Sequence, residues 1–163
     1  MRRTILLSLC LLTYGLQAQE TQFNALDSYW KNLSQTVTDG NFDGYAAAYH
    51  PDAVVVFATA TPKRSVSIAE AMADWKQGFD DTKNKQQTSQ VNFRFSERII
   101  GTNTAHETGI FHYRARHKDG RELANVYVHF EMLLVYKNGK WLGLMELQRS
   151  LTDEKAWKEL KEL

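Results

Sequence analysis

The stretch from Thr104 to Ser150 reads TAHETGIFHYRARHKDGRELANVYVHFEMLLVYKNGKWLGLMELQRS and decides the fold. It contains two Asx-Gly turns, Lys-Asp-Gly-Arg at 118–121 and Lys-Asn-Gly-Lys at 137–140. Asp-Gly and Asn-Gly supply the positive φ angles that a two-residue type I′ hairpin requires. Two such turns join three long strands and predict their register, so each side chain can be assigned to one face of a sheet.

The first turn, with Lys118 opposite Arg121, predicts two contrasting faces. One face pairs Phe111 with Val128, Tyr113 with Val126, Gly109 with Phe130 and Glu107 with Met132. The reverse face pairs His112 with Tyr127, Arg114 with Asn125, Ile110 with His129 and Thr108 with Glu131. Because the first face is almost entirely apolar or aromatic, we expect helices to cover it.

The second turn, with Lys137 opposite Lys140, leaves two arrangements open. An unbroken ladder places Glu131 opposite Glu146 and His129 opposite Gln148, on the face away from Trp141. A β-bulge at Gly143 would instead move Glu146, Gln148 and Ser150 to the face of Trp141.

Glu107 is the polar exception on the apolar face. A buried carboxylate costs several kcal/mol unless it is paired or neutralised. One interpretation makes Glu107 a general acid or base in a pocket. The other places it near a strand end, where it reaches water or a cation on a helix.

The rest of the chain adds helices before the sheet. Apolar spacing predicts helices over 23–38, over 42–49 and from a capping box at Ser67 and Glu70 through Phe79. Residues 53–58 read as a buried strand, 80–87 as a polar linker and 153–163 as a short charged helix. A further strand alternates Val91, Phe93, Phe95 and Ile99 with Asn92, Arg94, Ser96 and Arg98. Helices followed by long antiparallel strands predict an α+β fold.

Composition limits the classes of function. Residues 1–18, with Arg2 and Arg3 before a short apolar run, are typical of a secretory signal peptide, which leaves a single domain over 19–163. Without those two arginines, 18 basic residues face 19 acidic ones, a net charge of −1. This balance does not favour nucleic acid as a partner. The only cysteine, Cys10, lies in the predicted signal, so we expect a disulfide-free periplasmic or secreted protein with no membrane span after cleavage.

Motifs for metals and cofactors are weak or missing. His129 and Glu131 point to one side of a strand, and Glu146 could lie close, but spacing places no third ligand. No Gly-x-Ser-x-Gly, P-loop or other glycine-rich phosphate loop occurs. We therefore predict no metal and no cofactor.

Several segments resemble the nuclear transport factor 2-like superfamily, also called SnoaL-like, which has a cystatin-like α+β fold. They are Trp30, the run Thr38-Asp-Gly-Asn-Phe-Asp-Gly-Tyr45, the run Tyr49-His-Pro-Asp-Ala-Val-Val55, the helix from Ile68 to Trp75, and 137–150. The resemblance covers about residues 23–150. It implies a curved antiparallel sheet wrapped around N-terminal helices to form a cone-shaped pocket, and a homodimer through the sheet.

The resemblance also frames the function. The family includes ketosteroid isomerases, but the positions of their base, their first-helix tyrosine and their second acid fall at Phe57, Leu33 and Met132. None of these can do that chemistry. We therefore expect a protein that binds a small hydrophobic or amphipathic molecule, with no assigned reaction. The predicted ligand-binding residues are Tyr49, Trp75, Tyr113, Met132, Glu146 and Gln148. The alternative is an isomerase, dehydratase or cyclase-type enzyme that uses Glu107 as general acid or base.

Overall fold

A computed structural model describes residues 23–162, so the predicted signal peptide at 1–18 lies outside the described residues. Helix α1 spans residues 23–39. The elements that follow are α2 (Phe42–Ala46), β1 (Tyr49–Phe57), β2 (Arg64–Ser67), α3 (Ile68–Lys83), β3 (Gln87–Ile100), β4 (Thr104–His117), β5 (Glu122–Lys137), β6 (Lys140–Thr152), α4 (Glu154–Glu159) and β7 (Lys161–Glu162).

The strands form one curved, unclosed sheet beside the N-terminal helices, which confirms the α+β class. Its order is β2-β1-β6-β5-β4-β3-β7. The sheet is antiparallel except where β1 runs parallel to β6, a pairing that the predicted meander did not include. The helices and loops between β1 and the meander make this connection possible, because parallel neighbours need a long crossover.

The first hairpin has the predicted pairing over most of its length, whereas the second keeps the register set by its turn only from the Lys137–Lys140 pair to the Leu134–Gly143 pair. All eight predicted pairs between β4 and β5 occur, including Glu107 with Met132. Near the first turn only Gly120 has a positive φ (94°), so type I′ was wrong there. The Asp119 carboxylate accepts a hydrogen bond from the Arg121 amide (2.9 Å). A β-bulge between Ala115 and Arg116 shifts the register next to this turn, so the predicted pairs farther along the strands are kept. At the second turn Asn138 and Gly139 both have positive φ, as type I′ requires.

Two bulges in β6 settle which of its side chains face the helices. The register shifts between Leu133 and Leu134, so Glu146 lies opposite Met132 and Gln148 opposite Phe130. This confirms the bulged arrangement at Gly143. A second shift, between His129 and Phe130, brings Ser150 opposite His129, so Ser150 does not join the helix-covered face as that arrangement predicted.

A bulge in β3 overturns one predicted face. The register shifts between Phe95 and Glu97, which reverses the alternation beyond that point. Arg98 therefore lies opposite Glu107 on the helix-covered face, whereas Ile99 is 55% exposed. The expected alternation holds from Val91 to Phe95 and fails after it.

The helices match the predictions in position more closely than in length. Gly40 (φ 64°) ends α1, and the Ser67 hydroxyl caps α3 by accepting from the Glu70 amide (3.2 Å). Helix α2 is shorter than predicted because Tyr49 already pairs with Gly143 in the sheet. Helix α3 continues to Lys83, so the predicted linker begins later than expected.

The core lies between α1, α3 and the inner face of the sheet. The fully buried Trp30 ring packs against Phe93, Phe95 and Phe130, with centroid separations of 4.5, 5.2 and 5.5 Å. Helix α4 lies instead on the reverse face, where the Arg94 guanidinium sits 4.7 Å from the Trp157 ring centroid.

Candidate functional site

The helices and the inner face of the sheet line an open cavity of about 450 Å³. All six residues predicted to bind a ligand contribute to its wall: Tyr49, Trp75, Tyr113, Met132, Glu146 and Gln148. They come from β1, α3, β4, β5 and β6, so only the tertiary fold brings them together. Sequence reasoning missed Tyr45 of α2, which also lines the cavity.

Glu146 is the centre of a hydrogen-bonded chain on this wall. The Tyr49 hydroxyl donates to Glu146 Oε2 (2.6 Å), and Gln148 Nε2 donates to Glu146 Oε1 (2.9 Å). The Tyr45 hydroxyl lies 3.3 Å from that of Tyr49 and extends the chain. Only 6% of Glu146 is exposed, so these neutral groups supply most of its solvation.

Gly143 makes this arrangement possible by its small size. A Cβ atom there would lie 3.0 Å from the Tyr49 ring, 3.2 Å from Met132 Sδ and 3.2 Å from the Tyr29 hydroxyl. The bulge and the close approach of Tyr49 to Glu146 therefore depend on a residue without a side chain.

Burial controls the ionisation of this cluster. Desolvation raises the pKa of Glu146, and the hydrogen bonds from Tyr49 and Gln148 oppose that rise. Burial, followed by the nearby Glu146 charge, raises the pKa of Tyr49. The same two causes hold the pKa of Tyr45 above its ordinary range, so both tyrosines remain protonated donors.

Charged groups at the cavity are few. Among the described residues that line it, Asp74 and Glu146 carry carboxylates, and none is a lysine, arginine or histidine. Asp74 is paired with Arg64, whose Nη2 lies 2.5 Å from Asp74 Oδ2. Glu146 has only neutral hydrogen-bond partners.

Glu107 lies elsewhere, among the packed side chains and not in the wall of this cavity. It is fully buried, accepts a hydrogen bond from Trp30 Nε1 (2.6 Å) and forms an ion pair with Arg98 Nε. Arg98 also contacts Asp27 of α1 (2.6 Å). The cation that satisfies Glu107 thus comes from the neighbouring strand β3, where sequence reasoning had placed Arg98 on the reverse face.

The possible metal ligands do not come together. Glu146 faces the cavity, whereas Glu131 lies on the reverse face with His106 (3.5 Å) and in an ion pair with Arg149. Within residues 23–162 no three His, Cys, Asp or Glu side chains are grouped as a metal ion would need. Over the same range, no helix combines the length and the apolar character needed to cross a bilayer.

No protein-family model and no curated protein matches the chain. Solved structures do match it in fold. A conserved protein from Planctomyces limnophilus has a TM-score of 0.67 at 11% identity, over 82% of this chain and 98% of that one. An NTF-2-like protein of unknown function from Shewanella oneidensis has a TM-score of 0.60 at 16% identity, over 77% and 97%.

A third match describes the same architecture. A protein with a cystatin-like fold from Caulobacter vibrioides has a TM-score of 0.57 at 13% identity, over 84% of this chain and 94% of that one. At such identities the likeness shows the fold alone. The chain has the cystatin-like α+β fold of nuclear transport factor 2-like proteins.

Proposed function

We propose that this protein binds a small apolar or amphipathic molecule in the cavity beside Glu146. The observation that carries the proposal is a buried carboxyl group that faces a largely aromatic cavity and has only neutral partners. Small-molecule sites are typically cavities of about 300–1,000 Å³ with apolar walls and a few oriented polar groups. The cavity has a volume in this range, a largely aromatic wall and a few polar groups beside Glu146.

The placement of polar groups supports ligand binding over simple packing. Glu146, Gln148, Tyr45 and Tyr49 all contribute to the cavity wall, although a purely structural network would be better satisfied away from it. Burial of an ionisable group is costly, and buried ionisable groups in cavities are enriched at functional sites, which supports a role for Glu146 in orienting a ligand.

A fluorescence titration with the neutral apolar dye N-phenyl-1-naphthylamine tests the proposal. Val128 is 4% exposed and lines the cavity, so Val128→Trp should occupy part of it and weaken dye binding at least about tenfold, a loss of 1.4 kcal/mol. Val135→Trp, in the same strand but outside the cavity wall, is the matched control. Equal dye binding by both variants, or none by the native protein, would contradict the proposal.

A second candidate function is proton transfer at Glu146. The observation that favours it is the raised pKa of this carboxyl group, which brings it toward the range useful for acid–base catalysis at neutral pH. The sequence-based alternative gave this role to Glu107, which the structure places in an ion pair away from the cavity.

Hydrogen–deuterium exchange at the α-carbon of 2-tetralone, followed by NMR, separates the two carboxylates. If Glu146 transfers protons, the native protein accelerates the exchange and Glu146→Gln abolishes the acceleration. If Glu107→Gln loses the acceleration of exchange and Glu146→Gln keeps it, Glu107 is the residue that transfers the proton. No acceleration by the native protein would contradict proton transfer at Glu146.

We further propose a homodimer through the reverse face of the sheet. Support comes from apolar side chains there, such as Val54 (38% exposed) on β1 and the half-buried Leu133 and Leu147 on β5 and β6. Light scattering coupled to size-exclusion chromatography should give twice the mass of the chain, and Leu133→Lys should shift it to the monomer mass. A monomer at high concentration would contradict the dimer.

The proposed location is the periplasm or the extracellular space. It depends on residues 1–18, whose pattern is that of a cleaved signal. Amino-terminal sequencing of the protein recovered from its cells should begin at Gln19. An intact Met1 in the cytoplasmic fraction would contradict this location.

A further inference from the structure

The charge pattern of the cavity points to a ligand class, and we propose that the ligand is an organic cation with an apolar body, such as a hydrophobic amine or a quaternary ammonium compound. This inference rests on the proposed binding function. It comes from three observations: the unbalanced carboxylate, the aromatic wall and the lack of a cationic side chain among the described residues that line the cavity.

The first observation concerns the balance of charge. Asp74 at the cavity wall is balanced by Arg64, and 45% of its side chain is exposed to solvent. Glu146 is buried, and its two oxygens accept hydrogen bonds from the uncharged Tyr49 and Gln148. An anionic ligand would meet this carboxylate without any compensating cation, whereas a cationic ligand would supply the missing charge.

The second observation concerns the rings beside Glu146. Tyr45 lies next to Tyr49, with ring centroids 5.6 Å apart, and next to Trp75, with centroids 5.9 Å apart and planes at 87°. All three rings line the cavity. The negative face of an aromatic ring attracts cations, and several rings around one carboxylate form the kind of site that holds alkylated ammonium groups.

The groups that face Glu146 are otherwise neutral at physiological pH. They are Tyr29 of α1, Tyr45 of α2, Tyr49 of β1, Met132 of β5 and Gln148 of β6. On the same face, Glu107 of β4 lies beyond Met132 and is paired with Arg98. Desolvation is the main cause that raises the pKa of Glu146. A bound cation would restore the electrostatic stabilisation that burial removes, so the proton on Glu146 and the ligand should compete.

A matched pair of probes tests this inference by titration calorimetry. Benzyltrimethylammonium carries a fixed positive charge, and neopentylbenzene has the same shape with carbon in place of nitrogen. We expect the cation to bind at least about tenfold more tightly at pH 8, which corresponds to 1.4 kcal/mol. Glu146→Gln should remove that preference and leave the affinity for neopentylbenzene within about twofold, an internal control for folding.

Glu159→Gln is the matched charge control, because Glu159 is exposed at the end of α4 and lies outside the cavity wall. It should keep the native preference for the cation. A loss of preference in Glu159→Gln as large as in Glu146→Gln would overturn the role given to Glu146.

The pH dependence of cation affinity is an independent test of the role of Glu146. Affinity for benzyltrimethylammonium should increase as pH rises through the Glu146 titration and then level off. Affinity for this cation that falls or stays constant over this range would show that the ionised Glu146 does not hold it, and would overturn the inference. Tighter or equal binding of neopentylbenzene would overturn it while leaving the proposed function intact, and binding of neither probe would count against both.

Discussion

Removal of Arg98 should reveal how strongly the buried Glu107 depends on its cation. Glu107 is fully buried, and the Arg98 side chain is 17% exposed. Removing one partner of a buried ion pair typically costs about 3–5 kcal/mol, because the other charge remains without compensation. Trp30 still donates a hydrogen bond to Glu107, so we expect a loss of about 3 kcal/mol in Arg98→Met, at the lower end of that range.

Urea denaturation measures this loss. With an m-value of about 2 kcal/mol per molar, the midpoint should fall by about 1.5 M. Arg116→Met, an exposed arginine on β4, is the matched control and should change stability by less than about 0.5 kcal/mol.

The double variant Arg98→Met/Glu107→Gln completes the cycle. It should recover at least about half of the lost stability, because an uncharged amide in place of the Glu107 carboxylate can still accept from Trp30. A cost under about 1 kcal/mol for Arg98→Met, or no recovery in the double variant, would refute this reasoning. If the double variant is stable but no longer binds ligand, Glu107 has the site role that the sequence suggested.

Three further predictions concern the helix, the bulge and the acid beside the cavity. Gly78→Ala should stabilise α3 by about 0.5–1 kcal/mol in thermal unfolding, because the new Cβ meets only Gln87 at 3.8 Å; a destabilisation would contradict this. Gly143→Ala should destabilise by about 1–3 kcal/mol and weaken dye binding, because the new Cβ would crowd Tyr49; unchanged stability and binding would contradict the role given to the bulge. Because the pKa of Glu146 is raised in the folded protein, protonation of this carboxyl group stabilises the fold. The stabilisation is complete below the ordinary pKa of 4.5 and is lost as pH rises through the pKa of the folded protein. The stability of Glu146→Gln relative to the native protein should therefore increase over that pH range in urea titrations, and a decrease would contradict the stated direction.

Strand register could be predicted from sequence because side chains alternate with a period of two. The first Asx-Gly turn therefore gave the correct partner for Glu107 even though that turn is not type I′. The same period explains the errors. A single extra residue near Ser96 reverses every later side chain, and it turned Arg98 from the predicted reverse face toward Glu107.

The cavity was predictable in its residue types but not in its chemistry. The sequence allowed Glu146 on either face of the sheet. The bulge at Gly143 decides between them, and it depends on contacts with Tyr29 and Tyr49, which lie far away in the chain. Tyr45 was missed because only the packing of α2 brings its ring beside Tyr49 of β1 and Trp75 of α3. Tertiary contacts of this kind leave no periodic signal in a single sequence.

The cavity as a ligand site can be tested most directly at methionine methyl groups. Met132 is 1% exposed and lines the cavity, whereas Met145 lies opposite Leu133 and does not. In protein labelled with ¹³C at methionine methyls, a titration with N-phenyl-1-naphthylamine should produce a saturable shift of the Met132 signal and leave Met145 nearly unchanged. A Met132 signal that does not move, or one that moves no more than Met145, would contradict binding in this cavity.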